Sequence, residues 1–150
     1  MTVRIRQQLL MRKTLSRVAL LLALILSAGV ADAVDVIANK SVSLNSLSLA
    51  TARAIFGMRQ VKWPDGAPIR VFVLPDDHAI HGALCKERLN LFPYQLRQSW
   101  DRLVYSGMAQ APSEVLSEEE LLNKVAATPG AIGYVKKVKA NDPVKILNVE

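Results

Sequence analysis

An uncharged apolar run from Val18 to Val30, preceded by Arg4, Arg6, Arg12, Lys13 and Arg17 and followed by Ala31-Asp32-Ala33, constrains everything after it. Basic start, apolar middle and small-residue exit is the order of a cleavable secretory signal, with the cut after Ala33. The alternative is an uncleaved anchor, but the apolar run is short for a permanent membrane-spanning helix. Met11 directly precedes Arg12-Lys13, so a start there gives a leader of more ordinary length. What folds is then residues 34–150, outside the cytoplasm and in the periplasm, with no stable membrane anchor after cleavage. Those 117 residues suffice for one domain with one apolar core, not for two.

Removing the leader also removes most of the excess charge. The whole chain carries +6, whereas residues 34–150 keep 14 basic against 12 acidic residues, or +2. No basic stripe is interleaved with aromatics, and Lys136, Lys137 and Lys139 read as a solvated strand end, so no nucleic-acid partner is expected. The single cysteine, Cys85, excludes an intramolecular disulfide. Among Ala83, Leu84 and Leu89 it reads as a small buried apolar residue.

Along the remainder, Val34–Ala38 predicts a strand and Ser41–Ser46 a loop. Ser48 caps a helix carrying Leu49, Ala52, Ile55 and Phe56 and stopped by Gly57. Trp63-Pro64-Asp65-Gly66 is a turn that delivers the chain into a strand over Ile69–Leu74. Pro75 ends it, and Asp76 and Asp77 are expected to cap a helix from His78 to Asn90. A second helix starts at Pro93 and runs to Tyr105 with Leu96, Trp100, Leu103 and Val104 inward, closed by Ser106-Gly107. Ser117 and Glu120 form a capping box for a helix that carries Leu121, Leu122 and Val125 inward and stops at Pro129-Gly130. Two closing strands follow, Ala131–Val135 and Val144–Val149. The alternation predicts an α/β fold, a small mixed sheet flanked by helices. Sites in such sheets lie at the carboxyl ends of strands, here the loop after Leu74.

Several of these pieces carry more than local structure: Leu47-Ser48 with Ile55-Phe56-Gly57, Trp63-Pro64-Asp65-Gly66, Ser117-Glu118-Glu119-Glu120, and Pro129-Gly130-Ala131-Ile132-Gly133-Tyr134-Val135. In this order the chain resembles the phosphate-type periplasmic substrate-binding proteins of ABC transporters. The resemblance implies one lobe of a two-lobed type II binding protein, with most of the other lobe absent. In that family the strand matching Ile69–Leu74 leads into an Arg-x-Asp-Gly-Ser-Gly-Thr loop that holds the oxyanion. The matching residues here are Leu74, Pro75, Asp76, Asp77, His78, Ala79 and Ile80. Asp76, Asp77, His78, Ala79 and Ile80 are therefore the candidate ligand loop, and only Asp76 keeps the pattern. A cationic fork and two hydroxyls are missing. Asp77 adds a carboxylate, which within about 4 Å of a phosphate costs on the order of 4 kcal/mol, more than the ~1 kcal/mol of a helix terminus. Tight phosphate binding at this loop is not expected.

Other constellations have simpler readings. Asp76, Asp77, His78 and His81 could approach a metal, but two capping aspartates with exposed histidines in a first helical turn account for them. No nucleophile is spaced with a base, so catalysis is not expected, nor is a cofactor. Trp63, Trp100 and Tyr134 read as packing. Arg53, Arg59 and Arg70 are the remaining donors for an anion, although a solvated face is their usual place. The expected function is solute binding without catalysis, of a small anion or another solute. A homodimer would complete a shared cleft for that solute, and the alternative is a ligand-free interaction module that meets another envelope protein.

Overall fold

The computed structural model describes residues 33–150. The leader and the start at Met11 lie outside them, apart from Ala33. Among the described residues no helix is long and apolar enough to cross a membrane.

Among the described residues seven short strands and four helices alternate: β1 (Asp35–Ala38), β2 (Ser46–Leu47), α1 (Leu49–Phe56), β3 (Arg70–Val73), α2 (Ala79–Ala83), α3 (Pro93–Tyr105), β4 (Ser113–Glu114), α4 (Glu118–Ala127), β5 (Ala131–Val135), β6 (Lys145–Ile146) and β7 (Asn148–Val149). The main sheet has the order β4-β3-β5-β1-β6, and β2 pairs with β7 in a second, two-stranded sheet. β3 runs parallel to β4 and β5, whereas β1 runs antiparallel to β5 and β6, which makes the sheet mixed. The fold is thus α/β, a small mixed sheet flanked by helices.

Local chemistry explains the element ends. The Ser48 hydroxyl accepts from the Thr51 amide at 3.1 Å, and Gly57 closes α1 on the Arg53 carbonyl. A side chain at Gly57 would meet that carbonyl oxygen at 2.8 Å, so the position favours glycine. The Phe92 amide donates to the Gln95 carboxamide at 2.8 Å at the start of α3, with Pro93 in the first turn. Ser117 accepts from the Glu120 amide at 3.1 Å, but the Glu120 carboxylate takes the Leu116 amide instead of closing the reciprocal half of a capping box.

β5 is the centre of the core, with all five residues buried. Leu121 and Val125 of α4 cover it, and Phe56 meets the Tyr134 ring edge to face at 6.0 Å. Trp63 and Trp100 are buried too, their indole N–H groups donating to the carbonyls of Gly130 (3.0 Å) and Phe56 (2.7 Å). Cys85 is fully buried, and burial pushes its thiol pKa up to about 12.

Three further expectations need correction. The helix expected over 78–90 has only five α-helical residues before a π-helical turn (Leu84–Arg88), in which the Leu89 amide reaches the Leu84 carbonyl. The wider turn lets Leu84, Cys85 and Leu89 all face the core. The strand expected over 144–149 is two strands in different sheets. Leu147 between them is buried, and its amide donates to the Val36 carbonyl. Val104, expected inside, is 44% exposed, because α3 outruns the core it packs on.

Candidate functional site: the loop after β3

β3, β4 and β5 bring their carboxyl ends to one edge of the main sheet, and the loop over 75–78 leaves from that edge. Its first anchor is buried: the Leu74 amide donates to the Tyr134 hydroxyl at 2.8 Å. His78 turns the chain into α2 by accepting the Ile80 amide on Nδ1 at 3.2 Å, while its own amide donates to the Pro75 carbonyl. The cap of α2 is therefore His78 and not the two aspartates. Ala79 is exposed in the first turn, Ile80 half-buried against the core, and Asp77 exposed.

Asp76 is engaged elsewhere. Its Oδ2 accepts from Arg97 Nε at 2.8 Å and its Oδ1 from Arg97 Nη2 at 2.9 Å, a two-point fork from α3. The same guanidinium lies 4.9 Å above the Trp100 ring and has Nη2 3.7 Å from Glu114 Oε2 on β4. Both partners of the fork are more than a third exposed, so solvent screening holds its contribution to about 1 kcal/mol. The arginine of this loop thus comes from α3, and it already holds a carboxylate.

Behind the loop lies His81, which is fully buried and not exposed as the sequence suggested. Its Nδ1 is 2.5 Å from the Tyr134 hydroxyl, and its Nε2 is 3.8 Å from both Cys85 Sγ and Asp76 Oδ1. The assignment that satisfies every group has Tyr134 accepting from the Leu74 amide and donating to Nδ1, with the ring proton on Nε2. Burial lowers the His81 pKa, against the pull of Asp76 and with Arg97 and His78 adding to the depression. Burial likewise raises that of Tyr134.

Cysteine, histidine and aspartate are thus near one another without forming a nucleophile-base pair. A working triad uses opposite ring nitrogens for nucleophile and orienting carboxylate. Here Nε2 faces both, Nδ1 belongs to Tyr134, and the thiol stays protonated in the core. His78 and His81 diverge, one capping and one buried, and among the described residues no cluster of three or more His, Cys, Asp or Glu could hold a metal.

Of the cations singled out in the sequence, none joins the loop's hydrogen bonds. Arg53 donates to the Leu89 (2.7 Å) and Asn90 (3.3 Å) carbonyls, tying α1 to the end of the π-helical turn, and Arg59 and Arg70 are exposed. Arg97 escaped sequence reasoning because nothing local links it to a loop 21 residues earlier. Its one signal is the three-residue spacing to Trp100, which stacks a cation on an indole along a helix.

By sequence the chain matches no family model and no curated protein. By structure it is similar to a Clostridium perfringens protein described as a phosphate ABC transporter substrate-binding protein with bound phosphate. That match has a TM-score of 0.59 and 18% identity, over 78% of this chain and 44% of that one. It is similar to PstS from Borrelia burgdorferi at TM-score 0.58 and 18% identity, over 79% and 47%. A phosphate-binding protein from Stenotrophomonas maltophilia matches at TM-score 0.53 and 16% identity, over 79% and 39%. The chain spans less than half the length of these solved proteins, and the likeness establishes the fold of one lobe.

Proposed function

We propose that this chain is an exported, non-catalytic, single-lobe relative of the phosphate-type solute-binding proteins, acting in the periplasm as residues 34–150. Its ligand loop is filled by its own carboxylate. The observation that carries the second part is the fork from Arg97 to Asp76. Asp76 stands where an anion would sit on that guanidinium, at the effective millimolar or higher concentration of a tethered group. A free phosphate must displace it without the hydroxyls that the family's loop supplies.

Calorimetry of the purified protein with phosphate, sulfate and acetate tests this reading. No heat is expected below millimolar concentration for the natural chain. Asp76→Asn weakens the internal competitor, so weak phosphate binding in the millimolar range should appear. Micromolar phosphate binding by the natural chain would overturn the filled-loop reading.

A second reading, an interaction module on the same lobe, is favoured by apolar surface. Phe92 and Tyr94 stack at 5.8 Å while more than half exposed, and Tyr105, Met108 and Leu116 are each over three-quarters exposed. Crosslinking in intact cells, read against Tyr94→Ser and Leu116→Ser, separates the two readings. A specific envelope partner lost in both variants supports the module, and unchanged crosslinking removes it. Sedimentation of the purified protein tells whether a second copy is that partner.

A further inference from the structure

We propose that His81 is a proton-operated latch: on taking up a second ring proton it draws Asp76 Oδ1 away from Arg97 Nη2, and the freed nitrogen turns to Glu114 Oε2. The latch goes beyond the solute-binding reading, because it does not depend on what the loop meets.

Three distances arrange it. Asp76 Oδ1 is contested by Arg97 Nη2 at 2.9 Å and by His81 Nε2 at 3.8 Å. Arg97 Nη2 is in turn 3.7 Å from Glu114 Oε2, so it has a second acceptor within reach. Arg97 Nε stays on Oδ2 at 2.8 Å, which lets the guanidinium pivot without letting go of the loop. A neutral imidazole leaves this arrangement alone, since Nδ1 accepts from Tyr134 and Nε2–H faces a thiol and a distant carboxylate. An imidazolium changes both ends. Nδ1 becomes a donor, so Tyr134 must accept from the ring as well as from the Leu74 amide and turn its own proton away. Nε2 becomes part of a buried cation whose nearest anion is Asp76.

The groups facing His81 come from every side: Asp76 and His78 from the loop, Cys85 beyond α2, Tyr134 from β5, and Arg97 from α3 beside the Trp100 ring, whose centroid is 6.1 Å away. Asp76 is the sole anion among them, so the added proton has one direction in which to pull. Burial, with the Arg97 guanidinium adding to it, holds the neutral form at pH 7 and reserves the transition for more acid conditions. The readout is a guanidinium contact moved from the loop to the edge strand β4.

The test is a nuclear magnetic resonance titration of the labelled, purified protein from pH 8 to 4, following the histidine ring C–H and Arg97 guanidinium N–H signals. The chain has two histidines, and His78→Asn, a substitution that keeps a capping side chain, assigns them. The expected result is a His81 midpoint below 6.5 with the Arg97 signals shifting in the same step. Glu114→Gln should shrink the Arg97 step while leaving that of His81, and His81→Gln should abolish it. If His81→Gln fails to fold, the titration of the natural chain decides alone. Arg97 signals that stay flat through the His81 step, that move at a separate lower midpoint, or a His81 that stays neutral until the protein unfolds would each overturn the latch.

Discussion

The two halves of the region around Tyr134 are built on different physics. On one side, β5 lies under α4 as a continuous apolar layer in which Gly133 is pressed by Leu121 and Val125. A side chain at Gly133 would lie 2.5 Å from one and 2.9 Å from the other. On the other, the loop after β3 is held by directional polar contacts through Leu74, Tyr134, His81, Asp76 and Arg97. Packing is indifferent to pH and sensitive to volume, whereas the network is the reverse. Volume-sensitive and pH-sensitive contributions to stability thus reside in adjoining but separate layers.

Substitutions can break that contrast. The largest effect is expected from Gly130→Ala, because φ is +74° there and the new methyl would lie 2.4 Å from the Pro68 carbonyl oxygen. A loss of about 3 kcal/mol in urea unfolding, equal at pH 5.5 and 7.5, would place it wholly on the packing side. Tyr134→Phe keeps the ring and removes the hydroxyl, leaving the buried Leu74 amide and His81 Nδ1 short of a partner. About 2 kcal/mol should be lost at pH 7.5. Arg97→Met should cost about 1 kcal/mol at the same pH, since its fork is half-solvated.

Titration sharpens the contrast further. The folded-state pKa of His81 lies below its ordinary 6.5, so the unfolded chain takes up the proton first as pH falls. Stability is therefore complete above pH 6.5 and declines below it, by at most about 1.4 kcal/mol per pH unit. His81→Gln should flatten that slope. Cys85 acts at the other end: its folded pKa of about 12 against an ordinary 9.0 means stability falls as pH rises beyond 9. The smallest effect is expected from Tyr105→Ser, which is 89% exposed in the natural chain and should change stability by no more than about 0.5 kcal/mol.

The packed layer was legible in the sequence and the polar layer was not. Ala131–Val135, Leu121 and Val125 declare themselves by strand and helix periodicity, and Ser48, Gly57, Ser117 and Gly130 mark their ends. Asp76 was read as a cap, because an aspartate before a helix offers no hint of an arginine one helix further on. His81 was read as exposed because it was grouped with the capping residues of a first helical turn, although its spacing of three and four to Leu84 and Cys85 sets it on their buried face. Long-range pairing and a locally altered helical period are both invisible to spacing rules. The split of 144–149 into β6 and β7 was missed for a related reason, since a period of two does not say which sheet each residue joins.

The position of β1 reaches into how the chain acquires its structure. Asp35 meets Val135 and Ile37 meets Ile146, so this first strand has both neighbours about a hundred residues away and none nearby. No early hairpin can shelter it, and its ladder groups stay unpaired until β5 and β6 have been made. Such non-local closure is slow, in the millisecond-to-second range, and leaves the nascent chain open while it grows. For a protein proposed to be threaded unfolded through an export channel, that delay keeps the chain in the form that can be moved.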